Sequence, residues 1–131
     1  KKLWNNFGSK VQIMDAKNHD KILAMTSHMP HLISYSLVSS SLKANAKEKS
    51  EIIKFSAGGF RDFTRIAASD PTMWKDIFLN NKINLLKITK EFEKSLNLIK
   101  KYIKQNKPKK LQEIFLKTKK IRELIEKEKQ E

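Results

Sequence analysis

No cysteine occurs among the 131 residues, which excludes disulfides and thiolate metal sites and makes a reducing cytoplasm the default compartment. Glycine is almost as scarce. Gly8, Gly58 and Gly59 are the only three, so no G-x-G-x-x-G phosphate loop can be assembled from this sequence. No apolar run approaches the ~18 residues that a membrane-spanning helix needs. Lys1-Lys2 leads into Leu-Trp-Asn-Asn and not into the apolar stretch of a signal peptide. Arginine is rare too: Arg61, Arg65 and Arg122 stand among 28 basic residues, and the rest are lysine.

What is present is charge. The 28 basic and 14 acidic side chains leave a net +14, and hydrophobic residues make up 39%, enough for one domain with a sizeable core. Such a balance can mark a nucleic-acid binder. Proteins that grip phosphates or read bases lean on the planar fork of arginine, however, and here the cations are lysines. They are interspersed with glutamates along helical stretches, as on a solvated helix face. The excess of Ile and Asn is what an A+T-rich genome encodes. We read the charge as surface composition, with no specific nucleic-acid partner and no membrane partner. The arginines at 61 and 65, where lysine is the local habit, then become informative.

Along the chain, Leu3, Trp4 and Phe7 suit the end of an amphipathic helix with Gly8 as its stop. "KVQIM" (10–14) alternates like a strand, but no second convincing strand exists. Either the segment is not a strand, or its sheet lies upstream; the second reading is preferred. Asp15 caps a helix through "HDKILAMTSHMPHLISYSLVSSSL", with Ile22, Met25, Met29, Leu32, Ile33 and Leu37 on its apolar face and a kink expected at Pro30. Residues 43–50 read as a loop, 51–56 as a short helix broken by Gly58-Gly59, and Phe60 to about Ala68 as another. Ser69 or Asp70 then caps a helix with Pro71 at its first position.

From there Trp74, Ile77, Phe78, Leu85, Ile88, Phe92, Leu96, Ile99 and Ile103 recur at spacings of three and four, with no breaker before Asn106-Lys107-Pro108. One helix over 71–106 would be ~50 Å long. It would overhang a domain of this size, so a second copy of the chain is expected to cover its stripe. A last helix carries Leu111, Ile114, Phe115, Ile121, Leu124 and Ile125, and its end, "EKEKQE", is expected to fray. The fold class read from this is all-α with one very long helix.

The most particular stretch is "GGFRDFTRIAASDPTMWKDI" (58–77). Gly58-Gly59 fits either a plain loop or a close backbone approach to a ligand or neighbouring subunit. Arg61 and Arg65 are i and i+4, on one helix face. Arg65 either pairs with Asp62 or is free to clamp an anion. Trp74 is the first anchor of the long apolar stripe, Asp70 a helix cap. His28 and His31 lack a third ligand, so no metal site is expected. They read as packing histidines, and His19 with Asp20 reads as structural.

"HDKILAMTSHMPHLISYSL" followed by "GGFRDFTRIAASDPTMWKDIFLNN" resembles the C-terminal helical domain of the prephenate dehydrogenase family, from about Leu3 to the end of the long helix. The resemblance implies NAD- or NADP-dependent oxidative decarboxylation of prephenate to 4-hydroxyphenylpyruvate. It implies a Rossmann domain joined to a helical domain that forms a homodimer, with the active site in the cleft between them. Residues 1–14 would then be the helix–strand remnant of that upstream domain, and 15–131 the dimerisation and substrate-binding domain.

No catalytic residue falls in this chain on that reading, because the general-base histidine and the cofactor loop belong upstream. The substrate site drawn from the resemblance comprises Arg65, His31, Ser27, Gly58 and Trp74, with Ser27 and His31 near both substrate and nicotinamide. The residue types themselves leave two alternatives, an arogenate-specific dehydrogenase and a free-standing basic helical interaction module.

Overall fold

A computed structural model describes residues 1–41, 43 and 45–128, and every regular element among the described residues is helical. The chain forms two compact units, one of Asp15–Lys90 and one of Lys1–Met14 with Glu91–Glu131.

In the Asp15–Lys90 unit, α2 (Ala16–Leu23) starts where expected, with the Asp15 carboxylate accepting from the Asn18 N–H at 2.9 Å. (α1, Lys2–Asn6, belongs to the other unit.) The expected kink near Pro30 takes a specific form. Ala24–His28 is a π turn, in which the Met29 N–H reaches back five residues to the Ala24 carbonyl, and α3 (Met29–Ser41) resumes α geometry. Pro30 has no N–H to offer the Thr26 carbonyl, and widening the preceding turn relieves the loss. The extra residue also shifts the helical phase. Ile22, Met25 and Leu37, expected on the apolar face, are exposed, whereas Met29, expected there too, is buried together with Ala24 and His28.

The reading of 43–50 as a loop is overturned. Asn45 and Glu48 form a reciprocal capping box (3.0 and 3.1 Å) that starts α4 (Ala46–Lys54), so the charged run is helical from Ala46 onward. Gly58-Gly59 is not a breaker between helices either. The two glycines open α5 (Gly58–Thr64), and the chain turns earlier, at Phe55–Ala57. α5 tightens into a 3-10 turn, Arg65–Ala68. Asp70 then caps α6 (Pro71–Asn80), accepting from the Met73 N–H at 2.7 Å, with Pro71 at the first position as read.

The single helix expected over 71–106 is two helices. Asn81 (φ −108°, ψ 27°) leaves helical geometry between α6 and α7 (Lys82–Lys104). The backbone ladder nearly continues, since the Asn81 N–H bonds Ile77 O at 3.1 Å and the Leu85 N–H bonds Asn81 O at 3.0 Å. The deviation instead draws a buried amide side chain into the unit. The core here is small and lies around Ala24, Met29, Trp74 and Leu85.

In the other unit, α1 ends before Gly8, which takes the left-handed φ of 80° expected of a glycine stop. The strand expected over 10–14 is not formed. Without a ladder partner its N–H and C=O groups have nothing to pair with, and no strand occurs among the described residues. α7 ends in a Schellman turn. Asn106 sits at φ 48°, with Lys107 N–H to Tyr102 O (2.9 Å) and Asn106 N–H to Ile103 O (3.0 Å). α8 (Pro108–Lys127) follows. Its expected apolar row is largely open: Phe115, Ile121, Leu124 and Ile125 are exposed, as is Ile103 on α7. The expected fraying over 126–131 falls partly outside the described residues, which end at 128.

Candidate functional site

The site residues lie in the Asp15–Lys90 unit, and three of them converge. Trp74, one turn into α6, is buried and stacks on His31 of α3, with ring centroids 3.5 Å apart and planes 19° apart. His28, from the π turn, meets Trp74 edge-on at 6.2 Å, and Phe78 meets it at 5.6 Å. Ser27 joins through its backbone: its carbonyl accepts from His31 Nδ1 at 2.9 Å. A carbonyl accepts only, so Nδ1 carries a proton and the Nε2 of a neutral His31 is left as an acceptor.

The Trp74 indole Nε1–H is buried and finds no hydrogen-bond partner among the described residues. Core and cleft-lining readings of Trp74 are therefore compatible. The ring is packed, and its one polar atom is unmet.

His28, outside the candidate site drawn from the sequence, also packs into this cluster. Its Nδ1 lies 3.2 Å from Asn81 Nδ2, and burial pushes its pKa below the usual value, with the Asp20 carboxylate opposing and His19 and His31 adding to the fall. Asn81 was not singled out at all. Nothing in a single helical pattern marks one asparagine of an Asn80-Asn81 pair as the inward one; the break between α6 and α7 decides that.

Arg65 is positioned by its neighbours. Ser34, fully buried on α3, donates from Oγ to Phe63 O at 3.1 Å, and Tyr35 donates from Oη to Ser69 O at 2.9 Å. These bonds tie the chain to α3 two residues before Arg65 and four after it. The guanidinium itself is exposed and pairs with no carboxylate among the described residues, so the alternative of an Arg65–Asp62 pair is not realised. Arg61 is likewise exposed. α5 passes into the 3-10 turn at Arg65, whose own backbone stays helical (φ −51°, ψ −41°).

Gly58 is exposed, and an added Cβ there would meet nothing within 4 Å, so no close approach to this chain's own described atoms calls for glycine. Neither Gly58 nor the Arg65 side chain joins the Trp74 cluster through a hydrogen bond or ring contact among the described residues. His28 and His31 each have Nδ1 engaged, His28 with Asn81 and His31 with the Ser27 carbonyl, and no group of three or more His, Cys, Asp or Glu side chains that could hold a metal ion occurs among the described residues. The His19 ring meets the Asp20 carboxylate at 3.1 Å on the surface. No described helix is long and apolar enough to cross a membrane.

An exposed arginine and a packed His–Trp–His cluster are thus carried by one unit whose regular elements, among the described residues, are all helical. Residues 15–118 match the family described as "Prephenate dehydrogenase, dimerization domain", and the chain belongs to that family. It is 36% identical over 126 residues to a prephenate dehydrogenase of Lactococcus lactis, covering 96% of this chain and 35% of that protein. It is 43% identical over 89 residues to a cyclohexadienyl dehydrogenase of Zymomonas mobilis, covering 68% of this chain and 30% of that protein.

Among solved structures, the prephenate dehydrogenase of Aquifex aeolicus in complex with hydroxyphenyl propionate and NAD+ superposes with a TM-score of 0.86 at 38% identity. That match covers 95% of this chain and 43% of the Aquifex chain. An arogenate dehydrogenase of Synechocystis shares the fold at 20% identity, with a TM-score of 0.84 over 92% of this chain and 44% of its own. The chain thus spans about a third of the length of the curated relatives it matches.

Proposed function

We propose that this chain is the helical, dimer-forming and substrate-binding portion of a longer cytoplasmic prephenate dehydrogenase. That enzyme oxidatively decarboxylates prephenate to 4-hydroxyphenylpyruvate, with NAD or NADP bound mainly by residues outside 15–131. The observation that carries the substrate assignment is Arg65: exposed, without a carboxylate partner among the described residues, and set on backbone that two hydrogen bonds from α3 tie down on either side of it. Prephenate has two carboxylates. A guanidinium offers paired donors that match the two oxygens of either one.

His31 and Trp74 form the wall against which the rest of the ligand lies, and Ser27 sets the His31 ring through its carbonyl. Gly58 keeps the start of α5 free of a side chain. Residues 1–14 read as the end of the cofactor-binding domain, whose sheet would supply the partner that 10–14 needs to become a strand. The Aquifex relative's complex with NAD+ and a hydroxyphenyl acid supports both the cofactor and the substrate class. The test is direct: the full-length enzyme reduces NAD+ or NADP+ when given prephenate, and the 131-residue chain alone does not. A full-length protein inert towards both prephenate and arogenate would overturn the assignment.

Homodimerisation rests on the open apolar row of α8 and Ile103 of α7 and on the family's description. Light scattering at micromolar concentration is expected to give twice the 15.3 kDa chain mass. A monomer mass would remove this part of the proposal. The net +14 is expected to act on nucleic acid only as scattered lysines do, weakly, without sequence preference and with steep loss as salt rises. A sequence preference that survives physiological salt would reassign the charge.

A further inference from the structure

Asn81 saturates its side chain in a way that dictates the chemistry of its neighbour. Its Nδ2 lies 2.7 Å from the Asp20 carbonyl, and its Oδ1 accepts from Asn84 Nδ2 at 2.8 Å. A backbone carbonyl only accepts, so the amide cannot be turned around: nitrogen faces Asp20, oxygen faces Asn84. The second N–H of that nitrogen is the one aimed at His28 Nδ1, 3.2 Å away. His28 Nδ1 must then be the unprotonated, accepting nitrogen, and the proton sits on Nε2. Adding a second proton would set N–H against N–H.

Three residues further on, His31 is held in the opposite tautomer, its Nδ1–H given to the Ser27 carbonyl at 2.9 Å. The two histidines contact the same indole, one edge-on and one stacked.

We infer that Asn81 is a positioning residue. It locks His28 as the neutral Nε2–H tautomer and, through the His28–Trp74 contact, sets the Trp74–His31 stack. Asn81 reaches four parts of the unit at once: the end of α2 through Asp20, the π turn through His28, α7 through Asn84, and α6 through its own backbone. It is buried, and it is the residue at which α6 and α7 part. The lowered pKa of His28, caused mainly by burial, agrees with a ring kept neutral.

Whether the stack matters for turnover rests on the substrate assignment made above, but the tautomer lock does not. The experiment therefore has two arms. The first is long-range nitrogen–proton NMR of the histidine-labelled 131-residue chain near neutral pH. His28 is expected to show a protonated Nε2 and a bare Nδ1, and His31 the reverse. Asn81→Asp replaces the donor with acceptors, so the His28 proton is expected to move to Nδ1 or the ring to become doubly protonated, with His31 unchanged. A wild-type His28 protonated at Nδ1, or an Asn81→Asp chain whose His28 keeps the wild-type pattern, would overturn the lock.

The second arm is steady-state kinetics of the full-length enzyme with prephenate. Asn81→Asp is expected to lower kcat/KM by roughly ten- to a hundredfold, mainly through KM, as a displaced binding wall does. A switched tautomer with wild-type kinetics would refute the positioning role. If wild-type full-length enzyme does not turn over prephenate, the substrate assignment falls, and the first arm still decides the lock.

Discussion

Arg65→Ala in the full-length enzyme is expected to lower kcat/KM for prephenate by roughly thirty- to a thousandfold, chiefly by raising KM. That is the effect of losing one charge-assisted carboxylate pair worth ~2–4 kcal/mol. The direction follows from what surrounds the residue. The guanidinium has no carboxylate partner among the described residues, so its removal leaves no internal charge stranded. The backbone bonds that hold the turn come from Ser34 and Tyr35 and do not involve the Arg65 side chain. Stability, dimer mass and nicotinamide affinity should therefore be unchanged. Arg65→Lys should restore only part of the loss, because an ammonium lacks the fork. Arg61→Ala, on α5 and also exposed, serves as the control for general loss of positive charge. Wild-type KM in Arg65→Ala, or a variant that unfolds, would return the residue to a structural role.

Trp74→Ala is expected to destabilise the chain by about 3–5 kcal/mol in urea denaturation at fixed chain concentration, the usual range for emptying a large aromatic site. Trp74 is one of only a few buried apolar side chains in its unit, and the rings of His28, His31 and Phe78 all pack against it. The small core gives little else to compensate. Trp74→Phe tests a different point. The indole N–H has no partner among the described residues, so deleting it removes an unmet donor while keeping most of the packing. Its cost should stay below about 1.5 kcal/mol. A Phe variant as damaged as the Ala variant would mean that Nε1–H is bonded in solution, by water or by a second chain. An Ala variant within 1 kcal/mol of wild type would show that the stack is not core.

Much of the architecture follows from local chemistry and was therefore legible in the sequence. Asp15, Asp70 with Pro71, Gly8 and Asn106-Lys107-Pro108 each start or stop a helix through groups within five residues of themselves. The same locality made Pro30 readable as a disturbance and made Arg65 conspicuous as an arginine among lysines. The resemblance to the family added an expectation of which of these residues face a ligand. One local signal was missed: the Asn45–Glu48 capping box was present in the sequence, but the surrounding run of charge was read as loop.

What only the tertiary structure decided concerns groups whose partners are distant along the chain. Pro30 requires that a backbone bond be lost, but not that a π turn absorb it. The π turn changes the helical phase, and with it His28 goes inside while Met25 goes out. The apolar period continued unbroken across Asn81 because a 3.6-residue repeat cannot record a one-residue deviation made by a polar side chain. Asn81 leaves the helix to meet Asp20 and His28, which are 61 and 53 residues away in sequence. The strand-like alternation of 10–14 had the reverse outcome: its pattern is intrinsic, but a strand exists only where another strand supplies the hydrogen bonds. Periodicity and capping are properties of a segment and can be read from it. Burial of a polar group is a property of whatever comes to lie against it, and in this chain that is what gathers two histidines and an asparagine around one indole.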